Sequence, residues 1–299
     1  TGKSNLLEAI GILSWLGHPG PISGFVRMGA VADLFYAKDI RNKVRVSTGN
    51  QEVYISFANG EYKVELFVTK GGGLVPAGAL TMNFDGGLMR GAYTYTEELK
   101  KFAFYRFPAG GMPSPSQDEG PLLPPNGRNL DAVIRADAGL REVARSILRQ
   151  YGLKMVFVQP DNHIEVQMEL EEGVVASFRL STASDTIQRL LFNLAAVESN
   201  RDSVIALEEP EAHTFPYYAK YLAERIALDV NGNQFFITTH NPYFLLSVLE
   251  KAKKGEVAVH VTRFEGNQTR VRTLGDEELE EIMEEGVDVF FNLDELSSR

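Results

Sequence analysis

Val204-Ile205-Ala206-Leu207-Glu208-Glu209-Pro210 is an apolar run that ends in two carboxylates and is stopped by proline. A short continuous apolar stretch of this kind reads as a buried strand. Such a strand delivers its terminal side chains to one edge of a sheet. Two acids there can divide the labour of a hydrolytic site, one beside a metal and one activating water. Taken alone, a strand ending in Glu-Glu reads more simply as a solvated strand end, so the rest of the chain has to say what the acids face.

The other half of that site stands at the start of the sequence, Thr1-Gly2-Lys3-Ser4. It matches the tail of the phosphate-binding loop G-x-x-x-x-G-K-[ST], in which backbone N–H groups cradle phosphate, Lys neutralises charge and the hydroxyl holds Mg²⁺. A Gly-Lys-Ser tripeptide is common by chance, but its context is right. Leu6, Leu7, Ile10, Leu13 and Leu16 follow at helical spacing, so the loop feeds a helix N-terminus. Together the two halves predict a P-loop NTPase.

A third segment follows the acids. Residues 234–239, Gln-Phe-Phe-Ile-Thr-Thr, read as another buried strand that ends at His240-Asn241-Pro242, where proline blocks the strand and starts a helix. His240 is thereby expected beside the acids' edge. A capping or core histidine is the ordinary alternative.

These segments resemble the Walker B, D-loop and H-loop of ABC-type ATPases. The similarity is to the SMC/RecF/OLD branch, whose members carry E-P-E-x-H and T-T-H-x-P strings, found here as Glu209-Pro210-Glu211-Ala212-His213 and Thr238-Thr239-His240-Asn241-Pro242. Ala183-Ser184-Asp185-Thr186-Ile187-Gln188-Arg189 occupies the place of that branch's L-S-x-G-x-x-R signature. The resemblance implies ATP and Mg²⁺ as cofactors. It implies that Gly2, Lys3, Ser4 and Asn5 bind nucleotide, with Lys3 on the β/γ-phosphates, and that Ser4 and Glu208 hold Mg²⁺. Glu209 would act on the attacking water and His240 on the γ-phosphate. Ser184 would read ATP from the opposite subunit of an ATP-dependent homodimer. DNA and a separate effector protein are the further partners it implies, in repair, chromosome maintenance or phage defence.

Three departures from the branch bear on these roles. Glu208 stands where Asp is usual, one methylene longer. Thr186 replaces the signature glycine, which gives a backbone N–H its close approach to phosphate. The upstream glycine of the P-loop and the strand before it are not in the sequence, which implies a chain truncated within Walker A. A non-hydrolysing ATP-binding interaction module and the nucleotide-binding subunit of a transporter remain as alternatives.

Composition agrees with a soluble enzyme and a cytoplasmic location. The 299 residues are 44% hydrophobic, enough for a large core, and no apolar run reaches a membrane span. There is no cysteine, which excludes disulfides, thiol catalysis and Cys-ligated zinc. A formal charge of −10 argues against a uniformly basic nucleic-acid surface.

The expected fold is α/β, a two-lobed ABC-ATPase-like P-loop NTPase with a mixed sheet, an antiparallel β meander and a helical lobe. Residues 1–107 would form the N-terminal lobe with the P-loop end and the meander. Residues 108–200 would supply the inter-lobe loop and the helical signature lobe, and 201–299 the Walker B, D-loop and H-loop part. Alternation at 44–46, 53–57 and 62–68, with Asn59-Gly60 between the last two, marks the meander. Residues 71–91, rich in glycine, and 108–127, rich in proline and glycine, read as irregular. Two helices are expected over 130–151, strands over 156–180 and a helix over 185–198. Arg141, Arg145 and Arg149 recur on one helix face and could grip phosphates, although Glu142 interleaves and favours a solvated face. Tyr105-Arg106-Phe107 reads as edge-strand packing, and the acidic 276–285 stretch as a solvated helix. Asp288, Asp294 and Glu295 lack the spacing of a metal nuclease centre.

Overall fold

The computed structural model describes residues 2–18, 20–93, 97–108, 111, 113, 115–161 and 163–285. Asp288, Asp294 and Glu295 lie outside the described residues. The chain groups into two compact units, one of residues 8–104 and one of residues 1–7 with 105–299.

Helix α1 (Lys3–Gly17) begins in the second unit and runs on into the first. In the 8–104 unit it buries Ile12, Leu13, Trp15 and Leu16. Two of its glycines are required by close backbone approach. A Cβ on Gly11 would lie 2.4 Å from the Phe25 carbonyl oxygen, and one on Gly17 would lie 2.3 Å from that of Leu99. The rest of the unit is an antiparallel sheet in the order β1 (Val44–Ser47), β2 (Gln51–Ala58), β3 (Glu61–Lys70), β4 (Gly73–Met82), β5 (Leu88–Tyr93). Asn59 and Gly60 make the two-residue turn between Ala58 and Glu61 with φ of 54° and 81°, the positive values a type I′ hairpin demands. Alternation along β3 sends Tyr62, Val64, Leu66 and Val68 inward. A short α2 (Glu97–Lys100) and β6 (Phe102–Tyr105) follow.

Residues 71–91 are therefore not irregular: β4 and most of β5 lie there. Pro76 is tolerated because β5 pairs with β4 only at residues 78–82, leaving the first half of β4 as an edge on that side. Opposite Leu66 and Phe67 the register shifts as a bulge.

The second unit holds α3 (Leu130–Ala136), α4 (Ala138–Gln150) and the antiparallel sheet β7 (Lys154–Val158), β8 (His163–Glu171), β9 (Val174–Arg179). After these come α5 (Asp185–Ser199), β10 (Val204–Glu208), α6 (Pro216–Ala227), β11 (Gln234–Thr238) and α7 (Pro242–Lys251), then the hairpin β12 (His260–Glu265) and β13 (Gln268–Thr273), and α8 (Asp276–Glu285). Helix α5 is buried nearly all round, from Ile187 through Val197, as expected of a helix at the centre of a core. Leu249, Val261, Leu274 and Ile282 form a separate cluster that packs α7, the hairpin and α8 together. On α4, Arg145 and Arg149 lie 3.8 and 3.5 Å from the same Glu142 carboxylate, so two of the three arginines of that face are compensated locally. Among the described residues no helix is long and apolar enough to cross a membrane.

Candidate functional site

β10 and β11 run parallel in the register Val204–Gln234 to Glu208–Thr238, so both strands end at the same level. Each is followed by a helix with proline in its first turn, α6 at Pro216 and α7 at Pro242. The chain thus presents Glu208-Glu209 and Thr239-His240-Asn241 side by side at one sheet edge, where α/β folds bind ligands. Asn241 caps α7, its Oδ1 accepting the Tyr243 and Phe244 amides at 2.9 and 3.3 Å. His240, free of that duty, is 61% exposed at its side chain.

Three residues singled out by sequence meet at the His240 ring. Lys3 Nζ lies 3.2 Å from Nδ1, and Glu209 Oε1 lies 3.4 Å from Nε2. An ammonium can only donate, so Nδ1 accepts and the ring proton sits on Nε2, directed at Glu209. Lys3 also donates to the Thr239 carbonyl at 3.4 Å. Burial pulls its pKa below the usual lysine value, against the opposing influence of Glu209 and Glu211. Glu209 itself has φ of +44°, and its N–H donates to the Thr238 carbonyl at 2.9 Å.

Glu208 meets a different cation. Arg106 Nε lies 3.4 Å from its Oε2, with the two side chains 24% and 18% exposed. Ser4 and Asn5 lie in the first turn of α1, preceded by Gly2 with φ of +83°. A Cβ on Gly2 would fall 1.9 Å from Thr269 Oγ1 of β13, so only glycine fits there. Ser184 takes part in other contacts: its hydroxyl caps α5, accepting the Ile187 amide at 3.4 Å. Thr186, at the signature glycine's place, donates its hydroxyl to the His213 carbonyl at 2.9 Å.

Sequence reasoning assigned Glu211 no part, yet the structure gives it one. Only 7% exposed, it accepts the Thr239 hydroxyl on Oε1, and Thr239 Oγ1 in turn accepts the Asn241 amide at 2.9 Å. Its other oxygen is buried, and the backbone N–H groups of Glu211 and His240 also favour the ionised carboxyl. Burial raises the carboxyl's pKa, and the Thr239 hydroxyl partly offsets that. Glu211 therefore braces the turn that carries His240. The E-P-E string contains it, but no spacing rule reveals a partner 28 residues away.

These donors suit a nucleotide with Mg²⁺. Lys3 at a helix N-terminus suits phosphate, and the hydroxyl of Ser4 with the carboxylate of Glu208 is a hard oxygen set. Among the described residues no group of three or more His, Asp or Glu side chains could hold a metal alone. Mg²⁺ does not need one, because it is usually held by one or two carboxylates completed by substrate phosphates.

Residues 179–245 match the family model for the AAA ATPase domain, a segment that runs from the signature through both strand ends to the start of α7. No curated protein matches the chain. Among solved structures, the chain is similar to an Smc head bound to the C-winged helix domain of ScpA, at 13% identity over 93% of this chain and 88% of that one, with a TM-score of 0.50. It is also similar to the Smc head domain with an extended coiled coil bound to the C-terminal domain of ScpA from Pyrococcus furiosus, at 13% identity over 95% and 90%, TM-score 0.49. A third is the SMC head domain from Thermotoga maritima, at 16% identity over 92% and 86%, TM-score 0.35. At such identities the likeness is one of fold, and the first structure carries it. The fold is that of an SMC-type P-loop NTPase head, and the matched ATPase segment agrees with the resemblance to the SMC/RecF/OLD branch.

Proposed function

We propose that the protein is an ATP-hydrolysing switch of the SMC/RecF/OLD type, binding ATP with Mg²⁺ at the shared edge of β10 and β11. The observation that carries this reading is the chain Lys3–His240–Glu209, three residues from three sequence segments joined at one imidazole.

Lys3 is the phosphate-binding cation. Its hydrogen bonds run to neutral acceptors, the Thr239 carbonyl and the imidazole, so its charge is held in place without being cancelled by a direct carboxylate contact. Ser4 and Glu208 would hold Mg²⁺, which when bound supplies charge neutralisation to the phosphates. Glu209 is the base for the attacking water, and the Nε2–H of His240 orients its carboxylate. His240, more than half exposed, would turn that N–H to a γ-phosphate oxygen once nucleotide is bound. Ser184 and the start of α5 would act on the nucleotide of a second copy, making the dimer depend on ATP. DNA or an effector protein would be the object of the switch, on the strength of the family resemblance alone.

The test is phosphate release by the full-length protein. Glu209→Gln should retain ATP binding and lower turnover by about 10²-fold or more, the scale of general-base loss. Unchanged phosphate release would remove Glu209 from the role, and ATP binding with no release in the unmodified protein would leave a non-hydrolysing switch.

A further inference from the structure

Arg106, the cation beside Glu208, has no part in the scheme above, and the residues on either side of it show that it is held there. Tyr105 is fully buried: its hydroxyl donates to the Leu122 carbonyl at 2.5 Å and accepts from Asn200 Nδ2 at 2.8 Å, and its ring meets Phe192 of α5 edge-on at 6.0 Å. Phe107 meets the same Phe192 ring edge-on at 5.6 Å, and the Arg189 guanidinium covers its face at 4.5 Å. Arg189 is anchored in turn by Asp185 at 2.6 Å. Successive side chains of an extended segment point to opposite sides. With 105 and 107 both fastened to α5, residue 106 is turned away from α5 and onto Glu208.

From this geometry, and resting on the nucleotide reading above, we propose that Arg106 is a positioning residue for the metal-side carboxylate. Its guanidinium holds Glu208 when no divalent cation is present and competes with the cation for it when nucleotide binds. A carboxylate as buried as Glu208 is costly to leave without a counter-charge. At 3.4 Å the Nε contact lies at the long end of the hydrogen-bond range. Because Arg106 sits between two residues packed on α5, the helix that opens with the signature segment also sets where this competitor stands.

The experiment is equilibrium binding of a fluorescent, non-hydrolysable ATP analogue to the full-length protein across a Mg²⁺ titration. Arg106→Gln should bind the analogue as tightly as the unmodified protein at saturating Mg²⁺ and reach half-saturation at about fivefold lower Mg²⁺, the scale of losing one ion-pair competitor. A purely structural role would change the affinity at saturating Mg²⁺ and leave the Mg²⁺ midpoint in place. Arg106→Lys keeps the charge but loses the planar fork, and should move the midpoint in the same direction by less. If the Gln variant does not fold, the Lys variant decides. An unshifted midpoint, or one shifted to higher Mg²⁺, overturns the competition while the nucleotide reading stands. Failure of the unmodified protein to bind the analogue at any Mg²⁺ concentration overturns both.

Discussion

Replacing Thr239 by valine keeps the shape of the side chain and removes only the hydroxyl that joins Glu211 to the His240 turn. Two hydrogen bonds are lost, the one donated to Glu211 Oε1 and the one accepted from the Asn241 amide. Burial makes the folded Glu211 carboxyl hold its proton to higher pH than the unfolded chain, whose value is near 4.5. The folded state therefore binds more protons, and stability falls as pH rises from that value through the raised folded pKa. Below this window the carboxyl is neutral in both states and its burial costs little. The Thr239 hydroxyl favours the ionised form, so its loss moves the folded pKa further up and deepens the fall. Below about pH 4, where the carboxyl is protonated in both states, the substitution should cost about 2 kcal/mol for two bonds between neutral partners, and above the raised folded pKa about 3 kcal/mol, because one of the two then runs to a charged acceptor. Urea denaturation across this pH window measures both. Glu211→Gln in the same chain should close the gap, since Gln does not titrate. A cost for Thr239→Val that is the same on both sides of the window would refute the account of Glu211 as a buried, hydroxyl-supported acid.

Lys3→Ala should weaken ATP binding by about tenfold or more, as expected for the loss of a charge-assisted phosphate contact, and equal affinity by titration calorimetry would count against the P-loop assignment. In light scattering, Glu209→Gln should accumulate dimers in ATP, and adding Ser184→Arg should return monomers; the same oligomeric state with ATP, with ADP and without nucleotide would replace the switch by a constitutive scaffold. Gly11→Ala gains about 1 kcal/mol of helix propensity, but its Cβ meets a backbone oxygen at 2.4 Å. The net should be a loss of about 1–2 kcal/mol. Gly139→Ala in α4 meets only the Asp137 side chain at 3.3 Å and should be neutral or stabilising by thermal melting.

The parts of the fold that the sequence announced are those with a strong local period. The leucine spacing of α1, the alternation of β2 and β3 around Asn59-Gly60, and the apolar runs of β10 and β11 all formed as read. β4 was illegible because Gly73, Pro76 and Gly78 argue against a strand, and what makes them acceptable is an edge and a bulge supplied by its neighbours. The β12–β13 hairpin went unread although Gly266-Asn267, with φ of 56° and 60°, is a two-residue turn signal between alternating residues. At the candidate site, motif order places Glu209 and His240 beside one another and Lys3 in the same site, and the structure brings the three side chains together. Glu211 and Arg106 were not legible, because a brace and a counter-charge are defined by partners brought together only in the folded chain.

The backbone at Glu209 has a consequence for anyone who improves this protein. With φ of +44° the residue sits in the left-handed region, which costs a non-glycine residue about 1 kcal/mol or more. Its side chain is 42% exposed and returns little packing energy. Glycine at this position would relieve the strain and give up only the exposed contact to His240, which contributes little to stability. A library screened for heat resistance alone should therefore collect Glu209→Gly among its hardiest members, and those members would lack the base proposed above.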